Sequence, residues 1–318
     1  MKTTRLHLNA KRRRNPDPTR TTTLRNAFVR DMNKRMRALK RSIRDYIHAL
    51  PAEPITPPEG LQALARYTYP ASADRLADFS TWLDTELERG VLSRSSAGGM
   101  WTEDYIDSAY KAGRRRAVTE LHKEFPDAAY TTPEFPDDDL GFSFMAPIHV
   151  DDLKVLYARD FTTLRGLSDD VARRMSEVLA IGMAEGRGPG EIARIMRDGL
   201  GIPMARARTI ARTEIIRAHH RGLWRIYAEA GIEGVTFQVE WLAARDDRMC
   251  PECGFLDGRT YRLEDVPEAI PLHPNCRCCM IPVPSTTAAS EGYEEVGESW
   301  DDYYRTVIRP GALAKAIV

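Results

Sequence analysis

The 318-residue sequence predicts a mainly α fold with a small β element. Three observations carry the prediction. Apolar residues recur at three- and four-residue steps through most of the chain from Leu24 to Ala230, the helical period. One segment, in which Val235, Phe237, Val239 and Trp241 alternate with Thr236, Gln238 and Glu240, has the two-residue period of a half-buried strand. All five cysteines, Cys250, Cys253, Cys276, Cys278 and Cys279, fall between positions 250 and 279. The expected architecture is a helical body followed by a C-terminal hairpin module closed by a metal staple.

A chain of this length buries a substantial core as one large domain or two. Its formal net charge is zero, but residues 1–50 hold 15 Lys and Arg against 3 Asp, and the remainder holds 31 basic and 43 acidic residues. That asymmetry points to a basic arm with an anionic or acidic partner. Mean hydropathy is −0.44, and no run approaches the length of apolar sequence a membrane span needs, so no membrane partner is expected. The basic run Lys11, Arg12, Arg13 and Arg14 is followed by no apolar region and does not read as a signal peptide.

In chain order, residues 1 to about 21 carry cations among Thr, Asn and Pro with little to bury, which predicts a disordered arm. Lys11 to Arg14 are its candidate nucleic-acid contacts, sequence-independent and sensitive to salt. From Thr22, the steps Leu24, Phe28, Met32, Met36, Leu39, Ile43, Tyr46 and Leu50 predict a basic amphipathic helix stopped by Pro51. The cations on its outer face could also meet DNA phosphates. Pro51 to Gly60 reads as a proline-rich linker and a boundary. Helices are expected at Leu61–Tyr67, Ala73–Leu92 and Thr102–Phe125, with Thr102 as an N-cap. Trp82, Trp101, Tyr105 and Tyr110 are expected in the core. The loop from Pro126 to His149 contains Asp137, Asp138 and Asp139, but no Gly or distal Glu completes a calcium site there.

Helical steps resume at Val150–Glu185, with Leu153, Leu156, Phe161, Leu164, Leu167, Val171, Met175, Val178 and Leu179 inward, and end in a run of Gly and Pro. A short helix Glu191–Asp198 and a long one Met204–Ala230 follow, the latter capped by Gly231. The long helix holds Arg212, Glu214, Arg217, His219, His220 and Arg221. No nucleophile, phosphate loop or second carboxylate accompanies them, so a structural or interface role is expected, with Glu214 and Arg217 pairing on the surface. After Pro284 the tail is rich in Ser, Thr, Glu and Gly, with a helix-like end at Trp300, Tyr303, Tyr304 and Val307.

The cysteine run is the most specific signal. Cys250 and Cys253 form C-x-x-C, and His273 and Cys276 form H-x-x-C that continues into Cys278. A tetrahedral zinc ion needs four soft ligands crowded about one point, and residues two or three apart at a tight turn can both aim there. Asp257-Gly258 between the clusters suggests a type I′ hairpin returning the second cluster to the first. Four filled positions make a structural zinc, a catalytic one keeping a position open. Candidate ligands are Cys250, Cys253, His273, Cys276 and Cys278, with Cys276 or Cys278 as the fourth. Disulfides and unligated thiols are the alternatives, and the odd cysteine count speaks against the former.

The stretch Ala207–Pro282 resembles the phage head morphogenesis domain, the Mu F-like minor head protein family. ARTEIIRAHHRG at Ala211–Gly222, the Trp241, Asp246, Cys250-Pro251, Cys253 and Asp257-Gly258 pattern, and LHPNCRC at Leu272–Cys278 carry the resemblance, and the helical region from about Asp151 is similar as well. It implies a minor capsid protein of a tailed bacteriophage needed for head assembly or for handling the packaged genome, in the capsid interior or at the portal vertex of the virion, and in the host cytoplasm during assembly. Its implied partners are the portal protein, the major capsid or scaffolding protein and the packaged double-stranded DNA. The expected division is 1–50 basic arm and amphipathic helix, 51–149 helical region with linkers, 150–284 head morphogenesis domain with zinc module, and 285–318 tail. A zinc-dependent nuclease and a zinc-stabilised DNA-binding regulator are the competing readings. A nuclease needs a catalytic His that is more economically a zinc ligand here, and no recognition helix follows the cysteines.

Overall fold

The computed structural model describes residues 17–55, 66–93, 99–125, 147–232, 237–263 and 270–284. The acidic loop at Asp137–Asp139, the arm at Lys11–Arg14 and the tail beyond 284 lie outside them. Seven helices and five strands are described: α1 Thr22–His48, β1 Glu53–Ile55, β2 Arg66–Thr68, α2 Ser72–Gly90, α3 Glu103–Glu124, α4 Pro147–Ala184, α5 Pro189–Gly199, α6 Gly201–Ile232, β3 Phe237–Leu242, α7 Pro251–Leu256, β4 Thr260–Arg262 and β5 Cys279–Pro284. No described helix is long and apolar enough to cross a membrane.

Two compact units share the chain, one made of Asn26–Asp104 with Tyr157–Arg212, the other of Met1–Arg25, Tyr105–Leu156 and Thr213–Val318. The first is held by apolar helix faces. In α1 the expected stripe is buried at Phe28, Met32, Met36, Leu39 and Ile43, and in α2 at Phe79, Leu83 and Leu87. Tyr46 stacks on Trp82 at 4.4 Å, and the Trp101 indole donates to the Val91 carbonyl under the Arg35 guanidinium. α4 buries Leu164, Leu167, Val171, Met175 and Leu179 as its period requires, but Phe161 falls off that stripe and is exposed.

Several boundaries differ from the expectation. Arg66–Thr68 is not helical but pairs antiparallel with Glu53–Ile55, inside what reads as linker. Thr102 sends its hydroxyl to Asp160, and Glu103 reaches back to the Met100 N–H, so the start of α3 is tied by the acid rather than by the Thr. Gly231 lies within α6 rather than ending it. Residues 17–21, expected in the disordered arm, form a turn: Asp17 accepts the Thr22 N–H and the Arg25 guanidinium, and Thr19 and Thr21 are buried. Burial of these two hydroxyls is tolerated because they bond each other, at 2.8 Å.

The second unit carries a three-stranded antiparallel sheet in the order β4-β3-β5. In β3, Phe237, Val239 and Trp241 are buried and alternate with half-buried Gln238 and Glu240, as the two-residue period predicts. Along β5, Val239 faces Pro282 and Trp241 faces Met280. Trp241 and Met280 share a core with Ile216, Leu223 and Tyr227 of α6 and with Cys253, Cys276 and Cys278. Two glycines let α3 and α6 cross at close range. A Cβ on Gly113 would stand 1.9 Å from the His219 carbonyl oxygen, and one on Gly222 would stand 2.1 Å from that of Tyr110.

Candidate metal centre

The first ligand pair sits at a helix start. Cys250 is the N-cap of α7, extended at φ −77° and ψ 158°, Pro251 takes the first helical position, and the Cys250 sulfur accepts the Cys253 N–H at 3.3 Å. This corrects the hairpin expectation. Phe255 and Leu256 are helical, and β4 pairs with β3 instead of with them. The turn at Asp257-Gly258 has φ −61° and ψ 124° at Asp257 and φ 81° at Gly258, with the Arg259 N–H on the Leu256 carbonyl. Those angles make a type II turn, which needs the left-handed φ only at its second central residue. Asp257 then docks on the end of β3, accepting the Ala243 N–H and the Arg245 guanidinium.

The second pair sits on a turn of its own. The Cys276 N–H closes on the His273 carbonyl at 3.0 Å, and Asn275 takes a left-handed φ of 63°. The Asn275 N–H donates to the Thr213 hydroxyl of α6 at 3.1 Å, which joins the RTE stretch to the HPNC stretch. Asp246 clamps the same loop, accepting both Arg277 guanidinium nitrogens at 2.5 and 2.6 Å, and Arg248 completes its shell. These bonds, that of Arg277 first, hold the Asp246 carboxyl well below the usual carboxylate range.

The donors converge. The Cys250 and Cys253 sulfurs each lie 3.1 Å from His273 Nε2, and Cys253, Cys276 and Cys278 form a second group around the same Cys253. Within each group the ligand atoms are all inside 4.8 Å of one another. His273 Nδ1 is 2.8 Å from the Pro274 carbonyl, so the proton belongs on Nδ1 and Nε2 faces the sulfurs with its lone pair. Metal-ligating histidines are oriented by this kind of backbone bond. Among the thiols, donation from Cys253 and then Cys278 holds Cys276 well below the usual thiol range, while Cys253 is pushed far up by bonding first to Cys276. The soft sulfur and imidazole set, buried at Cys253, Cys276 and Cys278 and half-buried at Cys250 and His273, fits zinc or a similar thiophilic ion.

Cys279 is not part of the cluster. It lies next in the chain but on the other face of β5, packed with Leu242 and Ile281, and its buried thiol donates to the Pro18 carbonyl at 3.3 Å. Arg116 bonds the same carbonyl. The thiol without a role in the sequence thus helps hold the ordered start of the chain.

The polar residues of α6 divide by direction. Glu214 is buried, not on the surface, and pairs with Arg217 at 3.2 Å. Burial pushes His219 down to about 3 and His220 to about 4, so both are neutral at pH 7. Arg221 and Arg225 grip Asp152 of α4, a buried carboxylate that also accepts the Tyr110 hydroxyl at 3.0 Å. His149 stands 3.0 Å from that hydroxyl, and burial, with the Arg114 charge, pushes its imidazole down to about 4. Asp152 carried no sequence signal, because a lone Asp on an amphipathic helix reads as solvated until its partners are known.

Comparison with known proteins adds one finding. Residues 173–281, about a third of the chain, match the family model described as Phage Mu protein F like protein. No curated protein and no solved structure matches.

Proposed function

We propose, from the match of residues 173–281 to the Phage Mu protein F like family model, that the chain is a minor structural protein of a tailed-phage head. It acts in head assembly at the portal vertex of the virion, against the portal protein and the major capsid or scaffolding protein. The arm at Lys11–Arg14 meets the packaged duplex DNA without sequence preference. The family match carries this reading. The thiol-rich interior of the matched region supports a structural rather than a catalytic role, since its acids are spent on its own arginines, Glu214 on Arg217, Asp246 on Arg277 and Asp257 on Arg245. Co-expression with the portal and major capsid proteins tests it: the chain is expected to co-elute with one of them on size exclusion, and elution alone against both would overturn the portal-vertex assignment.

The cluster is read as one structural zinc held by Cys250, Cys253, His273 and Cys276. Cys250-Pro251-Glu252-Cys253 and His273-Pro274-Asn275-Cys276 repeat one pattern, a ligand, a Pro, any residue and a Cys. Each is a tight turn with both ends on the same side, so a pair of them supplies four tetrahedral corners. Cys278 then stands beside the ligands as an outer thiol. Purified protein should carry near one zinc per chain. With Co2+ in its place, the sulfur-to-cobalt absorption should fall by about a third in Cys276→Ser and stay unchanged in Cys278→Ser; the reverse pattern would exchange the two roles.

A further inference from the structure

We propose that the outer face of α1 is a second phosphate-binding surface, a line of cations that lies along duplex DNA. Arg30, Lys34, Arg37, Arg41 and Arg44 recur at steps of four and three residues, and all five are exposed. At about 100° per residue they fall within an arc of roughly 80°, directly opposite Met32, Met36, Leu39 and Ile43 in the core. At about 1.5 Å rise per residue, the line from Arg30 to Arg44 runs for about 21 Å.

What separates this line from an ordinary solvated face is its lack of counter-charge. Among the described residues Arg30, Lys34, Arg37 and Arg41 make no ion pair or hydrogen bond, and Arg44 holds only the neighbouring exposed Asp45. Several other arginines of the same unit are neutralised where they stand: exposed Arg165 by Glu88 and Asp169, exposed Arg173 by Asp170 and Glu177, half-buried Arg187 by Glu185 and Glu191, and exposed Arg197 by Asp198; exposed Arg66, Arg194 and Arg212 make no ion pair among the described residues but do not line up with one another as the α1 cations do. An unneutralised row in a chain of zero net charge implies an external polyanion. The row also offers no exposed large apolar side chain, and a stable protein interface needs an apolar centre. Duplex DNA, with a negative charge about every 1.7 Å of axis, needs only the row of cations. The proposal rests on the DNA reading above for its polyanion and on the α1 geometry for its residues.

The test is fluorescence anisotropy of a labelled 20-base-pair duplex with the full chain from about 50 to 300 mM salt. Four proteins are compared: wild type, the arm variant with Lys11, Arg12, Arg13 and Arg14 changed to Gln, the α1 variant with Arg30, Lys34, Arg37 and Arg41 changed to Gln, and a control with Arg165, Arg173, Arg187 and Arg197 changed to Gln. Circular dichroism confirms that the helices persist. Loss of four phosphate contacts should flatten the log-log salt slope by about 3 to 4 and weaken binding at 100 mM salt by at least about a hundredfold in the α1 variant. The control should bind within about threefold of wild type. Equal losses in the α1 variant and the control would show that net charge alone matters and overturn the surface. Wild-type DNA binding by the α1 variant with loss of polyglutamate binding would reassign the surface to an acidic protein. No binding by wild type at the lowest salt would overturn the DNA reading itself, whereas loss confined to the arm variant would overturn only the α1 surface.

Discussion

The two units solve the same problem with different materials. The unit of Asn26–Asp104 and Tyr157–Arg212 is closed chiefly by Phe, Met, Leu and Val on helical stripes, burial of apolar area at about 25 cal/mol per Å², with the bonded pair Thr102 and Asp160 and the Ser168 hydroxyl as its buried polar groups among the described residues. The other unit buries Arg114, Asp152, His149, Glu214, His219, His220 and three clustered thiols among its apolar residues. Buried charge is costly unless its partners are all in place, and a thiol cluster is weak without its ion. The first unit is therefore expected to tolerate gradual change. The second should hold or fail as a whole, and it contains the sheet and the candidate metal ligands of the matched region.

That contrast can be broken most severely by removing the metal. If the cluster holds structural zinc, chelation or Cys253→Ser should cost on the order of 10 kcal/mol to the sheet-bearing unit, because structural zinc affinity is folding free energy. Hydrogen exchange should show fast exchange across β3, β4 and β5 with α1 and α2 still protected; uniform protection after chelation would mean the cluster is not a staple.

Next in size is the ion pair under α6. Asp152→Ala leaves Arg221 and Arg225 facing a buried gap and should cost about 3 to 5 kcal/mol in urea unfolding. A loss within experimental error would show that solvent reaches the pair. Acid should strike the same place. His149 has a folded-state value depressed to about 4, beside Arg114, Arg225, Asp152, Glu229 and Tyr110. At pH 7 it is neutral in both states and neither adds nor removes stability. As pH falls from about 6.5 to 4 the unfolded chain takes up its proton first, and about 3 kcal/mol is lost. Asp152, whose carboxyl is held below its ordinary value by Arg225 and Arg221 against the cost of burial, withdraws its own contribution only below about pH 4. His149→Gln should remove its own share of the first loss, leaving the shares of His219 and His220, which are depressed to about 3 and about 4 in the same unit, and leaving the second loss intact.

The comparison is sharpened from the other side by Leu83→Ala in α2. This fully buried side chain should cost about 2 to 5 kcal/mol when truncated. Metal content and the pH 6.5 to 4 slope should not change, and a shift in either would mean the two units do not fail separately.

The amphipathic helices were legible because each follows a single period: Met32, Met36, Leu39 and Ile43 state their inward face without reference to any other part of the chain. The strand at Phe237–Leu242 was legible for the same reason, and the clustering of the candidate ligands because tight spacing makes Cys250 with Cys253 and His273 with Cys276 local events. The hairpin was misjudged because Asp257-Gly258 permits more than one turn, and Cys250 at an N-cap with Pro251 behind it starts a helix before a strand can form. Phe161 was misplaced because a 38-residue helix offers more apolar positions than one stripe can use.

Spacing and periodicity, which act through bonds and a few residues of chain, thus set the helices, the strand and the five candidate ligands in advance. The long-range pairings are another matter. Thr213 holding Asn275, Asp246 holding Arg277, Asp152 between Arg221 and Arg225, and Cys279 turned away from its four neighbours toward Pro18 depend on which surfaces the packed helices and sheet bring within about 3 Å. A polar side chain carries no record in its own neighbourhood of the partner it will meet, so only the tertiary fold could assign those roles.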